Sequence, residues 1–126
     1  MRLARPGVDT LQWFGLFGAA LVWTVQHVLA FGVDVARCSP ANVRWGVDQR
    51  AWQIALLAVA VVLVVASEAA AVTVLRETRG VEDSDPPPDG RRHFFAVAAS
   101  VGNVLFLVII LMDGLAQLAL SPCRQA

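Results

Sequence analysis

A chain of 126 residues suits one domain, and its 57% hydrophobic content and mean hydropathy of +0.62 lie above the range of ordinary soluble proteins. Ten basic and ten acidic residues cancel. No basic field therefore exists to gather nucleic acid or anionic substrates, and a nucleic-acid partner is not expected.

Three apolar runs, at residues 11–33, 51–75 and 93–120, follow along the chain. Each is longer than the roughly 18 residues needed to cross a hydrocarbon core of about 30 Å at 1.5 Å per residue. The expected fold is all-α: an integral membrane protein with three transmembrane helices and a short interfacial helix after the first, forming a single membrane domain over 1–126. The first run follows Arg2 and Arg5, as a signal peptide would, and Ala30-Phe31-Gly32 loosely fits a cleavage site. Gln26 and His27 interrupt its apolar core, however, and it is too long, so a retained span is expected. The next stretch, "CSPANVRWGVDQR", offers Ser39 as helix N-cap and Pro40 at the first helical position, with Trp45 as an interfacial anchor.

The second run contains "IALLAVAVVLVVA", which has no polar side chain and therefore none of the polar face that a soluble bundle helix shows every 3.6 residues. The segment 77–91 is rich in charge, Pro and Gly and reads as a flexible solvated connector. Docking of a basic partner on its acids is the less favoured alternative. Trp13 at one interface and Trp45 and Trp52 at the other complete the aromatic anchors.

Basic residues in short loops stay cytoplasmic. Arg2, Arg5, Arg76, Arg79, Arg91 and Arg92 fall on one side and Arg37, Arg44, Arg50 and Arg124 on the other. The bias favours a bacterial inner-membrane protein with a cytoplasmic N-terminus and a periplasmic C-terminus. An odd number of spans also puts Cys38 and Cys123 on one side, in the mirrored contexts "CSP" and "SPC". In an oxidising compartment they are expected to form a disulfide joining the first span to the third. Two free thiols are the alternative; a metal site is disfavoured, because two cysteines alone supply too few ligands.

An ionisable side chain near the bilayer centre asks for a partner or a function. The intramembrane polar residues are His27, Glu68, Asn103, Asp113 and Gln117. Taking span midpoints near residues 22, 63 and 106, His27 lies about 7 Å and Asp113 about 10 Å toward the outer side, and Glu68 about 7 Å and Asn103 about 4 Å toward the inner side. The depths pair His27 with Asp113, near Gln26 and Gln117, and pair Glu68 with Asn103 or Ser100. On the third helix Asn103, Phe106, Ile110, Asp113, Gly114 and Gln117 fall within roughly a 100° arc, which should face protein. Three uses remain open: interhelical polar glue, a proton or ligand path, or docking onto another membrane subunit.

A single transmembrane histidine supplies one axial ligand only, and His93 lies at the opposite interface, so no haem or other cofactor is expected. No phosphate loop, paired nucleophile and base, or metal-binding His pair points to an enzyme. The stretch "FGLFGAALVWTVQHVLAFGVDVARC", with its mid-span Trp, Gln-His pair and closing cysteine, and the ending "DGLAQLALSPC" resemble small three-span bacterial inner-membrane proteins of unassigned role, found near respiratory terminal-oxidase components. The resemblance implies a non-catalytic accessory or assembly subunit contacting lipid and other membrane subunits. A small oligomeric transporter or channel using Glu68 and Asp113 is the rival expectation.

Overall fold

The computed structural model describes residues 7–38, 46, 48–120 and 123. Three helices account for nearly all of them: α1 (Val8–Cys38), α2 (Gln49–Glu77) and α3 (Asp89–Ala119). Each is long and apolar enough to cross a bilayer, so the chain has the build of a multi-pass membrane protein. At 31, 29 and 31 residues they outrun the apolar runs at one or both ends, because the amphipathic flanks continue the helical hydrogen bonding past the hydrocarbon-length core. The interfacial helix expected from Ser39 and Pro40, and its anchor Trp45, lie outside the described residues.

Local chemistry sets the boundaries. Asp48 caps α2, its carboxylate accepting from the Ala51 backbone N–H at 3.2 Å. The other end of α2 closes at Thr78, whose Oγ1 donates to the Val74 carbonyl at 3.0 Å. The chain then turns at Gly80, whose φ of +86° a residue with a Cβ adopts only under strain. The connection to α3 is built of turns, with the Asp85 N–H donating to the Glu82 carbonyl and the Glu82 N–H to the Asp85 carboxylate.

All three helices pack on one another. The buried apolar residues are mostly small: Ala19 and Ala30 from α1, Ala60, Ala70 and Ala71 from α2, Ala96 and Ala99 from α3, with Val64, Val74 and Ile110 the larger exceptions. The large apolar side chains point outward instead, Leu21, Phe31, Val62 and Met112 among them. Lipid solvates Leu as well as a protein core does, so close helix approach rather than burial of bulk drives such packing. Gly15 and Gly18 show the approach directly. A Cβ on Gly15 would lie 3.0 Å from the Ala71 backbone nitrogen, and one on Gly18 would lie 2.7 Å from Ser67 Oγ.

Candidate functional site: polar rungs between the helices

Polar side chains join the helices at four levels, from the end that carries the 78–88 connection to the end that carries the disulfide. At the connection end Arg92 donates to Asp9 at 2.8 Å, tying α3 to α1, and Thr78 Oγ1 meets His93 Nδ1 at 3.0 Å, tying α2 to α3.

The second level is the most buried. Asn103, 2% exposed, donates through Nδ2 to the Gly15 carbonyl at 3.0 Å and to Glu68 Oε2 at 3.2 Å. Ser67, fully buried, donates to the Phe14 carbonyl at 2.9 Å and the Gly15 carbonyl at 3.3 Å. Two carbonyls of α1 thus accept hydrogen bonds beyond those of their own helix, reachable because the glycines let α2 in so closely. Ser100, the other donor considered for Glu68, instead has a buried Oγ without a hydrogen-bond partner.

At the third level His27 Nδ1 lies 3.1 Å from Asp113 Oδ2, joining α1 to α3 across 86 residues of sequence. The imidazole stacks on Trp23, with centroids 5.6 Å apart, and Trp23 in turn meets Phe106 at 5.9 Å. The pair sits at the surface of the bundle rather than inside it, for the His27 side chain is 55% exposed and that of Asp113 is 22% exposed. Gln26, next in sequence, projects about 100° away around the helix. It is 4% exposed, and its Oε1 has no hydrogen-bond partner.

The fourth level lies by the disulfide. Asp34 Oδ1 accepts from Gln49 at 2.6 Å and from Gln53 at 3.2 Å, and Gln53 also donates to the Ala30 carbonyl at 3.3 Å. Just beyond, the Cys38–Cys123 disulfide joins the end of α1 to the segment after α3, with Cα atoms 5.5 Å apart. Gln117, expected near His27, lines a different feature: a cleft of about 260 Å³ shared with Arg37, Asp48, Gln49, Arg50 and Gln53. Trp13 and Trp52 are about half exposed on the outer surface of the bundle.

The depths along each span pair His27 with Asp113 and leave Glu68 with Asn103 or Ser100, of which Asn103 is its donor. The parts that depth missed are Asp34, Gln53 and Ser67. Asp34 sits one residue past the apolar run and reads as an ordinary interfacial acid. Its signal is the i, i+4 pair Gln49 and Gln53, which places two amides on one face of α2.

One long surface feature lacks polar rungs. Two adjoining clefts of about 260 and about 500 Å³ run between α1 and α2, sharing Leu29 and Leu56. Along α1 they extend from Leu21 to Ala36, about 22 Å. Gln26 lies in the first, amid Leu21, Val22, Val25, Leu63 and other aliphatic side chains. Comparison with protein-family models, with curated proteins and with solved structures finds no match to this chain.

Proposed function

We propose that the protein is a non-catalytic subunit of the bacterial inner membrane, N-terminus cytoplasmic and C-terminus periplasmic, that packs against and helps assemble a larger membrane complex. The resemblance noted in the sequence makes a respiratory oxidase the complex to examine first. The arginine distribution supports the orientation, and so does the Cys38–Cys123 disulfide, which persists in an oxidising compartment such as the periplasm.

The observation that carries the assembly role is the α1–α2 groove with an unpartnered amide in it. A straight apolar groove of about 22 Å matches most of a bilayer's hydrocarbon thickness, so its natural occupant is a transmembrane helix of another subunit. Gln26 Oε1 is buried without a partner beneath this groove, and with the amide turned outward a hydroxyl or amide donor on that helix would satisfy it, which lipid tails cannot do. The interior polar residues speak for scaffolding rather than conduction, since Asn103, Ser67 and Glu68 spend their hydrogen bonds on one another and on α1 carbonyls.

The test is recovery of the tagged protein from its native membrane in mild detergent, with a photo-crosslinking residue at Val25 or Leu56. Stoichiometric recovery of another membrane subunit, crosslinked at those positions and lost in Gln26→Leu while the bundle stays folded, is the expected result. Recovery of the protein alone as a homo-oligomer, with an ion or solute flux abolished by Glu68→Gln, would overturn the reading in favour of transport.

A further inference from the structure

The rung formed by His27 and Asp113 differs from the others in being turned toward the bilayer. Four residues from the middle of α1, the imidazole lies about 6 Å along that helix from its centre, in the disulfide half. Asp113, as a carboxylate, can only accept, so the neutral ring carries its proton on Nδ1 and donates it across the 3.1 Å contact. That fixes the tautomer and leaves Nε2 as a bare acceptor on a half-exposed side chain. Trp23, one turn nearer the connection end, stacks on the ring, and Phe106 packs behind Trp23.

The chemistry that completes this arrangement is narrow. The ligand must reside in hydrocarbon, carry a hydroxyl donor, and present a flat ring to aromatic side chains. Phospholipid head groups with a free hydroxyl, such as phosphatidylglycerol, meet the second requirement but sit at the interface, too far from His27. A metal ion would need further ligands, and among the described residues no group of three His, Cys, Asp or Glu side chains converges. A quinol meets all three requirements. We propose that His27, oriented by Asp113 and stacked on Trp23, binds the head group of a membrane-resident quinol, one hydroxyl donating to Nε2. The site lies on the α1–α3 side, away from the α1–α2 groove, so the two assignments stand or fall separately.

The experiment uses the full chain in phosphatidylcholine nanodiscs and a short-chain ubiquinol as the probe. Saturable retention above that of empty nanodiscs is expected, with the dimethyl ether of the same quinol, which has no donor, not retained. His27→Phe should weaken binding by about tenfold or more and Asp113→Asn by less, the loss of one hydrogen bond and of its orienting partner. Val62→Ala, on the outward face of α2, should leave it unchanged. Helical content and the disulfide are checked in each variant. Labelling of the wild-type protein by an azidoquinol kept reduced with ascorbate, mapped by mass spectrometry, should fall within 23–27 and 106–113, a result that needs no variant to fold. Binding no better than empty nanodiscs, equal binding by His27→Phe, or labelling elsewhere would overturn the proposal. So would occupancy of this face by a partner helix that crosslinks to Trp23 and excludes the quinol.

Discussion

The carbonyl of Gly15 is where the three helices meet at a single atom, accepting from Ser67 of α2 and from Asn103 of α3. The arrangement works only because nothing projects from Gly15 toward Ala71. Gly15→Val is expected to push α2 away and lower stability by about 1 to 3 kcal/mol, the usual range for overpacking. Unfolding by sodium dodecyl sulfate titration in mixed micelles, followed by circular dichroism, measures it. Asn103→Leu removes donors from Gly15 and Glu68 together and should cost about 1 to 2 kcal/mol in the same assay. Ser100→Ala serves as the control, since its hydroxyl is buried without a partner, and should be neutral or slightly stabilising. An unchanged Asn103→Leu would show that the rung is not structural glue.

Among elements, α1 and α2 are held at one end by glycine contacts and at the other by Asp34, which serves both Gln49 and Gln53. Replacing Asp34 by Ala leaves Gln49 without its one side-chain partner and Gln53 with the Ala30 carbonyl alone. The disulfide end of α1 and α2 should then exchange amide hydrogens faster, while the Gly15 end keeps its protection. Uniform loss of protection, or none, would contradict a separable rung. The N-cap of α2 is a second local lever. Asp48→Ala should lower stability by about 1 kcal/mol through the first turn of that helix, measurable by the same unfolding titration. These features were only partly legible. The apolar length of each span and the depths of His27, Asp113, Glu68 and Asn103 are one-dimensional properties, read by counting along the chain. The role of Asp34 was not, because a residue at the end of an apolar run looks the same whether it faces solvent or a neighbouring helix.

At the scale of the whole molecule, the α1 and α3 ends are joined covalently across 85 residues of sequence. The chain-entropy model credits a closure of that length with about 4 kcal/mol. Reduction, or Cys38→Ser, should therefore lower the unfolding midpoint substantially and abolish a mobility shift on non-reducing gels. Equal midpoints with and without reductant would show that the three-helix packing is self-sufficient. The sequence by itself determined that there are three spans, that Cys38 and Cys123 share a side, and which polar residues lie at matching depth. Hydropathy and helical rise act locally, so chain position alone carries them. Only the tertiary structure decided that His27 points out of the bundle, and that its neighbour Gln26, about 100° around α1, is buried between helices. Those outcomes depend on how each helix is rotated about its own axis. In a bilayer, where every large apolar face is equally well solvated, that rotation is set by the few places where glycine, alanine and serine let backbones touch.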